Sequence, residues 1–231
     1  SVGTRALLQR PVYEWDSLEK EESAALQSTP NLFIHGSRSG RRELAISFDL
    51  VDDAEGLQFV LSVLERYGLR ATFFLGGEFI RRYPDFAREL ASLGHECASL
   101  FFANIDLFDS RYRIDGDFVK RGLARNEDDF FNATGRELSL LWHPPWYNSA
   151  PAFELAARDA GYITTGRDVD SLDWLNRGSQ NVKERVLAKV QPGSIVLFHN
   201  AAKDTPPALP AIIEGLMKEG YSFVPVSQLI Y

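Results

Sequence analysis

The chain has 231 residues, 45% of them hydrophobic and 25% charged, a composition ordinary for a globular protein with a sizeable core. A formal net charge of -7 and a sequence pI near 5.2 argue against a sequence-wide attraction to nucleic acid or anionic lipid. No uninterrupted apolar stretch approaches the roughly 18 to 20 residues that a membrane helix needs, and the single Cys97 excludes an internal disulfide.

Residues 1–43 are mixed and polar. The charged cluster from Asp16 to Glu22 leads into a short helix, and Thr29-Pro30 breaks it, so this stretch is expected to be a lead-in arm packed on the main domain. The chain starts without Met and without a charged-then-apolar leader, as a mature or excised segment would. Residues 44–231 are expected to form the main domain. Leu44 to Asp49 is an apolar run ending in a carboxylate, the pattern of a buried parallel strand that delivers its last side chain to a functional face. From Gly56 to Tyr67, Leu57, Val60, Leu61 and Leu64 recur at helical spacing, with Gly68 as the stop. A strand follows over Ala71 to Leu75, then a helix over Glu78 to Leu93 stopped by Gly94. The third strand spans Glu96 to Phe102 and holds Cys97 as a small buried hydrophobe.

The later segments repeat the alternation. Helices are predicted over 115–134, 151–160, 181–189 and 208–219, and strands over 139–142, 162–166, 194–198 and 222–225. Such units imply a parallel sheet with outer helices, and their number favours a closed or nearly closed barrel.

In a parallel barrel the C-terminal strand ends converge on one face. That face collects Asp49, Leu100 to Asn104, His143 to Trp146, Asp168 to Trp174, and His199. Asp49, Asp52 and Asp53 together suit cation binding or acid-base work, although Asp52 and Asp53 also suit the N-terminal turn of the next helix. His199 ends an apolar strand and can serve there as a general acid, or as a satisfied structural histidine. His143 lies in Trp142-His143-Pro144-Pro145-Trp146, where prolines stiffen the loop and the aromatic rings offer a surface to a sugar face or simply to the core. The run Asp168 to Trp174 lacks the glycine and closing glutamate of a calcium loop, so an Asp orienting a His is the more economical reading. His35 and His95 fall away from this face and read as structural.

These segments, in order and spacing, resemble the polysaccharide deacetylases of carbohydrate esterase family 4, the NodB homology domain. The resemblance runs from about Phe33 onward. It rests on Ile46-Ser47-Phe48-Asp49, Tyr67 to Phe74, Gly94-His95-Glu96, Pro144-Pro145-Trp146, Ala160-Gly161-Tyr162, Asp170-Ser171-Leu172-Asp173-Trp174, Pro192 to His199 and Gly220 to Val224. It implies a distorted (β/α) barrel that removes the acetyl group from N-acetylated sugars. The expected partner is an N-acetylated glycan or cell-surface polysaccharide, and the expected compartment is outside the cytoplasm.

The resemblance also assigns roles. Asp49 matches the catalytic base, His199 the acid and Asp170 the carboxylate that tunes it. His143 stands in place of the Arg that engages the base, the aromatic after it is kept as Trp146, and His143, Trp146 and Trp174 are expected to face substrate. The metal-binding Asp is replaced by Leu50, and the two ligand histidines by Leu100 and Asn104. Leucine has no lone pair and a single Asn is a weak ligand, so no metal cofactor is expected at these positions. Zinc or another divalent ion would need a relocated site drawn from Asp49, Asp52 or Asp53, His143 and His199. The expectations are therefore a glycan-binding pseudoenzyme, an N-deacetylase with a relocated metal, or metal-free chemistry by Asp49 and His199.

Overall fold

The computed structural model describes residues 32–230. The short helix expected after Asp16, like most of the expected arm, lies outside them. The remainder of that arm is part of the barrel, because β1 (Leu32–Phe33) pairs in parallel with a barrel strand through Leu32 and Thr164 and through Phe33 and Thr165.

The elements then follow as β2 (Glu43–Leu50), α1 (Leu57–Arg66), β3 (Thr72–Leu75), α2 (Gly77–Arg82), α3 (Pro84–Ser92), β4 (Glu96–Ser99) and α4 (Gly116–Thr134). The second half holds β5 (Leu141–Trp142), α5 (Pro151–Asp159), β6 (Ile163–Thr165), β7 (Val169–Asp170), α6 (Ser179–Lys189), β8 (Ile195–His199), α7 (Thr205–Lys218), β9 (Ser222–Phe223) and α8 (Val226–Ile230). Among the described residues the strands form one parallel sheet in the order β1-β6-β5-β4-β3-β2-β8-β7, with β9 added to the start of β2. The sheet curls into a distorted (β/α) barrel.

The sheet ends, β1 and β7, are not paired with each other, and side chains bridge them. Arg38, just past β1, donates to Asp168 at 2.8 Å, and Asp168 also accepts from Ser194 Oγ and the Ile195 N–H, each at 2.7 Å.

Alternation along β2 decides which residues meet the site. Leu44, Ile46, Phe48 and Leu50 join the large apolar layer between sheet and helices, with Phe73, Leu75, Val196, Phe198 and the inner faces of α1 and α7. Ala45 belongs to a second cluster inside the barrel, with Phe74, Ala98, Leu100, Leu141 and Ile195. The period of two along a strand puts Asp49 on this inner side, at the barrel's C-terminal mouth. α8 closes the other end: its first N–H groups bond to Thr72 Oγ1 at 2.9 Å and Glu96 Oε2 at 3.2 Å, placing a carboxylate at its positive end.

Three local differences from the expected elements have physical causes. The single helix expected over Glu78 to Leu93 is broken at Tyr83 (φ -128°, ψ 57°), because Pro84 disfavours helical backbone in the residue before it. The third strand ends at Ser99 instead of Phe102. Phe101 adopts φ 70° and drives its ring into a notch on α4, where a Cβ on Gly122 would lie 2.2 Å from Phe101 Cζ. The two-residue β7 and the five-residue α8 are too short for any periodicity to mark.

Candidate active site

Adjacent parallel strands set the site. In the register of β2 and β8, Asp49 is directly opposite His199, so the ends of two neighbouring strands bring this carboxylate and this imidazole side by side.

His199 is held by Asp173. Its Nδ1 donates to Asp173 Oδ1 at 2.8 Å, and its own backbone N–H reaches Asp173 Oδ2 at 2.8 Å. The Trp174 N–H donates to Oδ1 at 2.9 Å, and the Thr205 hydroxyl, at the start of α7, donates to Oδ2. Asp173 is 0% exposed, yet four donors saturate its carboxylate, which is how a charge tolerates burial. With Nδ1 occupied, Nε2 is the ring nitrogen directed to chemistry. Burial alone pushes the His199 imidazole down. The Asp173 carboxylate beside it, reinforced by Asp49 and Asp170, outweighs this and lifts it to about 9. At neutral pH His199 is therefore an imidazolium, the form a general acid needs.

The carboxylate bonded to His199 is thus Asp173, not Asp170. The run holds Asp168, Asp170 and Asp173, and spacing alone does not say which one reaches the imidazole. The turn Asp173–Leu175 does, since it folds Asp173 back under β8. Asp170 instead accepts a fork from Arg167, Nε at 3.0 Å and Nη2 at 2.9 Å, and acts on His199 only through space. Burial pushes the Asp170 carboxyl up, but Arg167, then His199 and the Leu172 N–H, hold it below the usual carboxylate range.

Asp49 is held from the other side. His143 Nε2 donates to Asp49 Oδ1 at 2.9 Å, while its Nδ1 is 3.1 Å from the Pro144 carbonyl. His143 is thus the side chain that engages Asp49. It was also expected to face substrate, but it is 1% exposed and enclosed by Phe74, ring centroids 4.7 Å apart, and Tyr147, 4.1 Å apart at 10°. Its role is to support Asp49. Arg167 covers the far side of Tyr147 at 3.9 Å from the ring centroid.

The turn Pro145–Tyr147 makes this stack. Trp146 (φ 63°) and Tyr147 (φ 55°) are consecutive non-glycine residues in the left-handed region, each costing about 1–2 kcal/mol. In return Tyr147 faces inward and Trp146 outward, 42% exposed, at the mouth where a sugar face would stack. Trp174 is half-buried beside Asp173. Tyr147 and Arg167 were absent from the sequence expectation. Their only signal was adjacency to Trp146 and Asp168, and aromatic and basic residues are too common in loops for that to single them out.

Leu50 and Leu100 are packed differently. Leu50 is 0% exposed in the outer layer, and Leu100 is 5% exposed inside the barrel, so the two leucines lie on opposite faces of the sheet. Asn104 is half-buried in the loop beyond. Asp53 Oδ1 accepts from the Glu55 N–H at 2.6 Å, an Asx-type turn into α1, so the structural reading of this carboxylate is the one realised. Among the described residues, no group of three or more His, Cys, Asp or Glu is arranged to hold a metal ion. The donor set does not fit the family's divalent ion.

The histidines away from the mouth behave structurally. His95 accepts from the Ala71 N–H at 3.3 Å, and burial, with Arg70 adding to it, lowers its pKa to about 4. His35 lies 2.7 Å from the Gly36 carbonyl, near the barrel's lower rim. Burial pushes the Cys97 thiol up to about 12, which leaves it unreactive.

The fold and its mouth are those of a parallel (β/α) barrel with a carboxylate and an imidazole side by side at the C-terminal strand ends. The polysaccharide deacetylase family profile matches residues 36–164, more than half of the chain. The protein belongs to the polysaccharide deacetylase family, the carbohydrate esterase family 4. A peptidoglycan-N-acetylglucosamine deacetylase of Bacillus cereus is 31% identical over 197 residues, covering 81% of this chain and 87% of that one. Among solved structures, Bacillus subtilis PdaA, a family 4 carbohydrate esterase, superposes with a TM-score of 0.80 at 24% identity over 90% of this chain and 88% of that one. A family 4 pseudoenzyme from Bacillus anthracis gives 0.80 at 22% identity, over 88% and 70%. These two likenesses establish the fold.

Proposed function

We propose that this protein is a glycan-binding pseudoenzyme of the deacetylase family, without metal-dependent deacetylase activity. The observation that carries the reading is the burial of Leu50 and Leu100 in hydrophobic clusters where the family has ligands. A bound Zn²⁺ brings the pKa of its water from about 15.7 to about 7 and polarises the acetyl carbonyl, contributing several kcal/mol to the transition state. A lone carboxylate does not replace that. The retained groups suit recognition: Asp49 with His143 behind it, His199 as a donor, and Trp146 as a flat exposed ring. The glycan class is an N-acetylated polymer, by analogy with the peptidoglycan on which the Bacillus cereus relative is named to act. The place of action is the cell surface, outside the cytoplasm.

The test is release of acetate from chitooligosaccharides and peptidoglycan fragments with added Zn²⁺, Co²⁺ or Ni²⁺. None is expected. Turnover abolished by Asp49→Asn overturns the reading and favours an active N-deacetylase with a relocated metal, which stoichiometric metal in protein purified without chelator would support.

A second reading rests on the protonated His199 opposite Asp49. With Asp49 as base and His199 as acid, the pair is equipped for metal-free hydrolysis of a more reactive ester. Its signature is a bell-shaped pH-rate profile lost in both Asp49→Asn and His199→Gln.

A further inference from the structure

The strained turn at Trp146 and Tyr147 has to be maintained by something that benefits from it, and the glycan-facing ring of Trp146 accounts for only one of the two left-handed residues. Tyr147 is the other. Its ring lies nearly parallel to His143 at 4.1 Å, and Phe74 also contacts His143, tilted by 53° at 4.7 Å. An imidazole packed against two rings cannot rotate about its Cβ–Cγ bond without disturbing those contacts. Rotation is what would take Nε2 away from Asp49, to which it donates at 2.9 Å.

Arg167 completes the column. Its guanidinium, 3.9 Å from the Tyr147 centroid, is itself fixed by the fork to Asp170. The column therefore runs Phe74, His143, Tyr147, Arg167, Asp170. It gives Asp170 a role although it is not the carboxylate bonded to His199.

We infer that Tyr147 is a positioning residue: its ring clamps His143 so that Asp49 Oδ1 stays occupied and Oδ2 is presented as a fixed acceptor for a hydroxyl or acetamido N–H of the bound sugar. The role of Oδ2 rests on the glycan-binding reading, whereas the clamp on His143 does not. A preset acceptor avoids the ordering cost that a free carboxylate side chain would incur on binding.

The experiment uses the full chain, ¹⁵N-labelled at histidine, without ligand. The His143 Nε2–H is expected as a protected downfield resonance, assigned by its loss in His143→Gln. The His199 Nδ1–H resonance, assigned by its loss in His199→Gln, serves as the internal control for folding. Tyr147→Phe keeps the ring and should keep the His143 signal. Tyr147→Ala removes the ring and should broaden that signal into exchange with water while leaving the His199 signal in place. A His143 signal that persists in Tyr147→Ala, or that is absent from the unsubstituted protein, overturns the inference. Calorimetric titration with chitotetraose is the second arm: Tyr147→Phe is expected to bind like the unsubstituted protein and Tyr147→Ala roughly tenfold more weakly. If the unsubstituted protein binds no chitotetraose while the resonances behave as expected, the glycan reading fails and the clamp stands. If it binds and Tyr147→Ala binds equally well, the preset acceptor is overturned.

Discussion

Two sets of residues near the strand ends follow opposite rules. On the β8 side, charge is buried and kept: Asp173 has four donors, His199 is protonated, and Asp49 has its own histidine. By contrast, the residues that follow Asp49 and Ser99 are given to packing, with Leu50 and Leu100 in separate apolar clusters. Buried ionic groups persist only where every partner is present, because removing one partner leaves the other charge uncompensated. A hydrophobic replacement carries no such condition. The carboxylate–imidazole network is interdependent, whereas Leu50 and Leu100 are ordinary core.

The sharpest way to break this contrast is to place one charge among the packed residues. Leu50→Asp places a carboxylate in the outer layer with no donor facing it, and should destabilise the fold by about 4 kcal/mol or more in urea denaturation. Added Zn²⁺ should recover none of this, since position 50 faces the helices and Asp49 faces the barrel. A zinc-dependent rise in the melting temperature of Leu50→Asp would mean that the side chain reaches the mouth after all.

The next largest effect is expected on the network side. Asp173→Leu leaves His199 and Thr205 without their acceptor and should cost about 3–4 kcal/mol. Asp173→Asn keeps an acceptor oxygen and should cost roughly half as much. Asp170→Asn breaks the fork to Arg167 but does not touch His199, so it should leave the His199 Nδ1–H resonance in place, whereas Asp173→Asn should shift it. Loss of that resonance in Asp170→Asn alone would mean that the assignment of Asp173 as the partner is wrong.

The fold was legible in the sequence because strand and helix periodicities alternate along nearly the whole chain, and Asp49 and His199 were legible because each ends an apolar strand. What failed to show were the contacts made by irregular backbone. Asp173 reaches His199 through a three-residue turn, Tyr147 reaches His143 through a left-handed one, and β1 pairs with β6 over two residues only. None of these has a repeat long enough to leave a pattern. The reading of Leu50, Leu100 and Asn104 as ligand positions came only from the family motif. Nothing in the residues themselves marks them, and which face of the sheet each leucine packs on needed the register.

Proton linkage separates the network from the rest of the molecule more gently. The His199 pKa is raised from 6.5 to about 9, so the folded state holds a proton that the unfolded chain gives up in that interval. Its stabilisation is complete below pH 6.5 and is lost as pH rises through about 9, on the order of 2 kcal/mol for this partly exposed group. His95 acts in the opposite sense. Held neutral down to about pH 4, it makes the fold less stable as pH falls from 6.5 toward that value. In His199→Gln the alkaline loss should disappear from the stability profile while the acid loss stays. A profile unchanged in His199→Gln would mean that the Asp173 pair does not hold the proton.

The smallest expected effect is also the one that divides function from stability most cleanly. Trp146 lies at φ 63° and is 42% exposed, so glycine at this position relieves the left-handed strain but adds backbone freedom to the unfolded chain. The two terms nearly cancel, and Trp146→Gly should leave the fold unchanged or stabilise it by about 0.5 kcal/mol. Loss of the exposed ring should nevertheless weaken chitotetraose binding by roughly tenfold. A residue retained for packing would lose stability together with binding. A residue retained for a ligand, at a position whose backbone it strains, gives up binding alone. Destabilisation of 2 kcal/mol or more in Trp146→Gly would return Trp146 to the core and leave the mouth without its sugar-stacking surface.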